Sequence, residues 1–152
     1  GILEKLERKL LTYLPGAIDH INQEKALSYV ATSSSDGLAL LHRKFPEVAE
    51  LAPGTIIEIG RSTSDGPPLN WRRSTANSLR GLCETFSGVV ERQEGKSFAF
   101  LRSAADDVFV PPDMARDFSV GEHSSRTCVA MRRVNKQGKV GWRAVKFLDD
   151  CQ

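Results

Sequence analysis

The 152 residues carry 21 Lys and Arg against 19 Asp and Glu, a net charge of +2, with 40% hydrophobic and 26% charged residues. That balance describes a folded globular chain and excludes a disordered tail or a uniformly basic nucleic-acid binder, so any affinity for a polyanion must come from a local patch. Cys83, Cys128 and Cys151 are too few and too scattered for a disulfide framework or a zinc site, and read as reduced thiols of a cytoplasmic protein. No apolar run approaches the roughly 20 residues that span a bilayer, and no signal-peptide pattern opens the chain, so no membrane association is expected. The sequence starts at Gly1 rather than at a methionine, as expected of a segment of a longer protein.

In chain order, residues 2–14 (ILEKLERKLLTYL) place Leu3, Leu6, Leu10 and Leu14 at helical spacing with charged residues between them. This predicts a short amphipathic helix that Pro15-Gly16 stops. Beyond Gly16 the segments are short, rich in β-branched and aromatic residues, and bounded by turn residues. The first half offers GAIDHI, ALSYVAT, GLALLHR, TIIEIGR and LNWRRST; the second offers SGVVERQ, SFAFLRS, DVFVPP, TCVAMRRV and VGWRAVKF. Each reads as a strand.

The halves also overlay. Gly16 matches Gly88, Lys25 matches Lys96, Asp36 matches Asp107 and Trp71 matches Trp142, at offsets of 71 or 72 residues. The order of strands and turns repeats, with loop glycines at Gly54 and Gly121 and polar turns SDGPP and NKQGK. Five strands in about 60 residues suit a small closed barrel, because closure leaves no unpaired edge. The segment STANSLRGL between the copies is expected to be a helical turn or a linker.

Alternate residues of a strand share a face. Lys96, Phe98 and Phe100 therefore lie opposite Ser97, Ala99 and Leu101. In the next strand Val108 and Val110 suit a core, which leaves Phe109 and Pro111 on the other side. The strand before is ambiguous by alternation, because an inward Val90 brings Arg92 to the same face. With Phe98, Phe100 and Phe109 outward, the three rings form a platform rimmed by Lys96 and Arg92, a surface on which unpaired bases stack. The alternative is that the same rings fill the barrel.

The segment SGVVERQEGKSFAFL…DDVFVPP resembles the cold-shock domain pattern, and more closely the cold-shock domains at the front of the RNase II/R exoribonucleases, where a similar segment ends in Pro-Pro. The resemblance implies an OB/cold-shock-like barrel in which Lys96, Phe98, Phe100 and Phe109 contact single-stranded RNA or DNA. Pro111 and Pro112 stand where cold-shock proteins usually carry His and Phe, and Arg92 stands at a tryptophan position. The first half keeps the spacing better than the chemistry. His20 occupies the tryptophan position, Leu27 and Tyr29 replace the paired phenylalanines, and Ala39 stands near the third ring. That copy is expected to be mainly structural, with His20, Lys25 and Tyr29 as weaker binding candidates. Its Leu27 and Leu41 offer a surface for a protein partner.

Basic residues gather late, at Arg126, Arg132, Arg133, Lys136, Lys139, Arg143 and Lys146, where they can follow a phosphate backbone or simply protect a sheet edge. Trp71-Arg72 and Trp142-Arg143 are expected to anchor the last strand of each copy. His20, His42 and His123 have no ligand or catalytic companions at useful spacing, and no phosphate-binding glycine loop is present. The acidic pairs Asp106-Asp107 and Asp149-Asp150 are explained by a turn and a chain end.

The sequence thus predicts an all-β protein of two tandem five-stranded OB/cold-shock-like barrels with a short N-terminal helix. The helix spans residues 1–14, the first barrel 15–75, the linker 76–85 and the second barrel 86–149. The expected function is a non-catalytic module of a larger protein that binds single-stranded nucleic acid, RNA in preference, without cofactor or metal. Its binding residues would be Arg92, Lys96, Phe98, Phe100, Phe109, Arg132, Arg133, Lys136 and Arg143. The rival expectation is a protein-interaction or oligomerisation scaffold, and a weaker third is a processing enzyme whose site does not show in the sequence.

Overall fold

The computed structural model describes residues 10–148. The chain divides into two compact units between Leu79 and Arg80. The described part of the N-terminal unit contains strands β1 (Thr12–Asn22), β2 (Leu27–Ala31), β3 (Gly37–Leu41), β4 (Ile56–Arg61) and β5 (Asn70–Arg73), with a short 3-10 helix at Pro46–Glu50. The C-terminal unit contains β6 (Cys83–Glu91), β7 (Ala99–Ser103), β8 (Asp107–Val110), β9 (His123–Val134) and β10 (Val140–Phe147), with a single helical turn, α1, at Pro112–Ala115.

The C-terminal unit is a closed barrel in the order β10-β8-β7-β6-β9. Closure depends on β10, which pairs antiparallel with β9 and parallel with β8 through Trp142↔Val108 and Arg143↔Phe109. Alternation sorts the strands as the sequence dictates. Ala99, Leu101, Val108 and Val110 point into a core with Phe86, Val90, Ala115, Phe118, Cys128, Ala130 and Ala144. Trp142 packs against that core, 4.8 Å edge-on from Phe86. A large aromatic contributes much of the apolar area that so small a barrel can bury.

The N-terminal unit has the same strand neighbours, β3-β2-β1-β4-β5, but forms an open sheet rather than the expected barrel. The closing strand explains the difference. β5 has four residues, all paired with β4, and Pro67-Pro68 just ahead of it supply no backbone N–H for a longer ladder. Trp71 pairs with Ile59 and packs on the core of Ile18, Val30, Leu40, Val48, Leu51, Ile57 and Ile59.

The N-terminal helix needs correction where it can be judged. Residues 1–9 of that prediction lie outside the described residues, but Thr12, Tyr13 and Leu14 open β1 and Pro15-Gly16 continue it. Pro15 is tolerated because β1 has only β4 beside it there, since pairing with β2 begins at Ala17. Gly16 and Gly88 are matched in role as well as in sequence. A Cβ on Gly16 would meet Val30 Cγ1 at 2.7 Å and the Ala31 carbonyl oxygen at 3.0 Å, and one on Gly88 would meet the Arg102 carbonyl oxygen at 2.2 Å. Both first strands bend closely over the second strand of their unit.

Both units also place a short helix between their third and fourth strands, each opening on a proline, Pro46 and Pro112. Proline suits the first helical position because its missing N–H has no intrahelical partner there. Val48 from the first helix and Ala115 from the second plug the respective cores.

Candidate nucleic-acid interface

The face opposite the C-terminal core carries three phenylalanine rings. Phe100 on β7 pairs with Phe109 on β8, and Phe98 precedes β7 by one residue. Ring centroids lie 5.7 Å apart for Phe98–Phe100, 5.4 Å for Phe98–Phe109 and 5.9 Å for Phe100–Phe109. The planes meet at 89°, 41° and 71°, so the rings support one another through edge and tilted contacts. All three are half-buried, whereas their chain neighbours Ala99, Leu101, Val108 and Val110 are wholly enclosed. The rings do not fill the barrel.

Arg102, two residues beyond Phe100 and on the same face, lies with its guanidinium carbon 4.6 Å from the Phe100 centroid. It bridges two carboxylates: Nε donates to Glu91 Oε2 at 3.2 Å and Nη1 to Asp107 Oδ2 at 2.6 Å. Desolvation works against its charge, but these hydrogen bonds outweigh it and hold the guanidinium above the usual arginine value. Glu91 pairs with Phe100 on one side and His123 on the other, with His123 Nδ1 at 3.8 Å from Glu91 Oε1. Glu91, Gln93, Lys96, Phe98, Phe100 and Arg102 line a pocket of about 160 Å³ at the edge of the ring cluster.

Of the residues expected from sequence, Lys96, Phe98, Phe100 and Phe109 come together, and Arg143 joins them as the β10 partner of Phe109. Arg133 pairs with Gly141, two residues before Arg143, and so shares its side of the hairpin. Arg132 pairs with Trp142 on the other side, and Lys136 sits in the turn beyond, towards the Asp107 end of β8. Arg92 is not brought to the rings. Val90 points into the core, Arg92 turns the same way, and its Nη1 donates to the Ala115 and Phe118 carbonyl oxygens at 3.2 and 2.7 Å. It braces α1 and the following turn.

Glu91, Arg102 and Asp107 were missed. Arg102 was legible, since it stands two residues after Phe100 in an extended segment. Glu91 was hidden by the unresolved alternation of its strand, and with Arg92 inward it is Glu91 that faces Phe100.

In the N-terminal unit His20 pairs with Tyr29, and Tyr29 with Ala39. The imidazole and phenol rings stack at 5.3 Å and 16°, and His20 is 58% exposed with Nδ1 3.3 Å from Asp19 Oδ2. A β-bulge between Ile18 and His20 turns His20 outward. Lys25 is exposed in the β1–β2 turn, its backbone N–H bonded to Asn22 Oδ1 at 2.9 Å. Leu27 pairs with Leu41, and Leu41 is exposed. This face has two rings in place of three.

Among the described residues no group of three His, Cys, Asp or Glu side chains is placed to hold a metal ion, and no helix is long and apolar enough to cross a membrane.

The closed order β6-β7-β8-β10-β9 and the aromatic outer face define a small barrel of the OB/cold-shock-like class. Residues 84–147 match the family model for S1/CSD-like domain 2 of the TOTE conflict systems, a match that lies wholly within the C-terminal unit. No curated protein and no solved structure matches the chain.

Proposed function

We propose that the C-terminal barrel is a non-catalytic module that binds single-stranded nucleic acid on the face of Phe98, Phe100 and Phe109, with RNA as the first expected ligand. The observation that carries this reading is the mutual contact of three half-exposed rings on the side of the sheet turned away from the core. Bases stripped of their partners stack on such rings, each stack contributing roughly 1–3 kcal/mol, and do so with little regard to sequence. Lys96 at one end of the cluster and Arg143 beside Phe109 supply positive charge for the backbone, and Arg133 extends it along the hairpin. The match of this unit to an S1/CSD-like family supports the same reading. The preference for RNA rests on the resemblance to RNase II/R cold-shock domains. The face of His20 and Tyr29 is a weaker, secondary station.

The test is a fluorescence-anisotropy titration of the whole chain with labelled single- and double-stranded RNA and DNA at two salt concentrations. Single strands should bind, more tightly at low salt, and replacing Phe98 and Phe100 together with alanine should weaken binding by at least about tenfold. Binding that survives the double substitution contradicts the reading. Absence of binding even at low salt would favour the scaffold role.

A further inference from the structure

We infer that Glu91 makes the aromatic face selective, favouring bases that carry an exocyclic amino group over uracil and thymine. The inference rests on the binding reading above and adds a rule about which base occupies the pocket.

Glu91 stands directly across the β6–β7 pair from Phe100 and lines, with Phe98 and Phe100, the pocket at the edge of the ring cluster. A base stacked against those rings presents its edge to this pocket. Glu91 Oε2 already accepts from Arg102 Nε at 3.2 Å, which fixes the carboxylate in place and leaves Oε1, 3.8 Å from His123 Nδ1, as the acceptor available to a ligand. Arg102 itself lies over Phe100 and is held between Glu91 and Asp107, which take up two of its five N–H groups. Gln93 and Lys96 line the same pocket, with an amide and an ammonium able to donate.

An acceptor and donors in one pocket match an edge with the opposite pattern. Cytosine offers its 4-amino donor beside the N3 and O2 acceptors, adenine its 6-amino donor beside N1, and guanine its N1 and 2-amino donors beside O6. Each can give a proton to Glu91 while accepting from Lys96 or Gln93. An exocyclic amino group also has a second N–H turned away from the neighbouring ring nitrogen, which reaches a carboxylate with no adjacent lone pair, whereas the one N–H of uracil and thymine is flanked by a carbonyl oxygen on each side and sets a lone pair against the carboxylate from either approach. A carboxylate accepting from an amino group is a recognised reading contact, and a good pair at a base edge discriminates by a factor of about ten or more.

The test compares uniform octamers of rC, rA and rU, and of dC, dA and dT, binding to the wild-type chain and to Glu91→Gln and Glu91→Ala variants. Removing the carboxylate also removes a negative charge and should tighten every oligonucleotide, so the readout is the ratio of affinities, not their size. The wild type should prefer rC and rA over rU, and dC and dA over dT, by about tenfold. Glu91→Gln, whose amide can also donate to a carbonyl, should bring the ratio near one, and Glu91→Ala should lower it without the new donor. Circular dichroism of both variants checks that the barrel is intact. Phenylalanine-dependent binding with no base preference, or a preference unchanged in both variants, overturns the inference and leaves the binding reading standing. Failure of every octamer to bind overturns both.

Discussion

Arg102 lies over the ring of Phe100, its guanidinium carbon 4.6 Å from the ring centroid, and is held there by Glu91 on one side and Asp107 on the other. The arrangement extends the aromatic surface by one more planar group while largely cancelling its charge. Arg102→Ala should therefore weaken single-strand binding by about fivefold, through loss of a stacking plane and exposure of two carboxylates to the phosphates. Arg102→Lys keeps the charge without the plane and should fall between the two. Anisotropy titrations of both variants against the wild type check this; unchanged affinity in Arg102→Ala would remove the residue from the surface.

Gly88 tests the bend of β6. An added Cβ would meet the Arg102 carbonyl oxygen at 2.2 Å, a backbone atom that cannot rotate away. Gly88→Ala should cost about 1–3 kcal/mol of stability, the usual range for overpacking. At Gly95, where φ is +80° and the space beyond is open, alanine should cost less, through backbone strain alone. Urea unfolding of the two variants orders them.

Arg92 should behave as a brace. Its Nη1 donates to the Ala115 and Phe118 carbonyl oxygens, so Arg92→Met, which keeps the stem, should destabilise the barrel by about 1–3 kcal/mol. Oligonucleotide affinity, measured at a temperature where the variant is folded, should change little.

Cys83 is wholly buried opposite Met131, and burial pushes its thiol up to about 11. The folded state therefore favours the protonated thiol more than the unfolded chain does, whose value is near 9. The associated stability is fully present below pH 9 and is lost as pH rises towards 11, amounting to about 2–3 kcal/mol across that window. Thiol-reactive probes at pH 8 should label Cys83 only after denaturation, and Cys83→Ala should flatten the alkaline loss of stability.

Much of this was written in the sequence. Alternation put Ala99, Leu101, Val108 and Val110 on one face and Phe98, Phe100 and Phe109 on the other, but which face met the core was open until the resemblance to cold-shock domains favoured outward rings, as the enclosed first set now shows. The signals that failed were those that depend on contacts far along the chain. The fate of Arg92 turned on carbonyl groups of Ala115 and Phe118, and that of Glu91 followed from it. The bulge that turns His20 outward disturbs the period-two pattern, so matching the halves by spacing aligned His20 with Arg92, whereas the strand registers align it with Glu91. Closure of the first sheet could not be told from strand count, because it hinges on the length of β5 after Pro67-Pro68. Thr12 to Leu14 read as helix because leucine spacing says nothing about the partner β4 provides.

The most direct test of the aromatic surface is a residue-by-residue map of contact. Titrating an isotope-labelled chain with an unlabelled single-stranded octamer, and following backbone amide and phenylalanine ring resonances, should shift Phe98, Phe100, Arg102 and Phe109 first and furthest, with Lys96 and Arg143 at the margins. Ring signals that stay fixed while resonances elsewhere move would contradict the account.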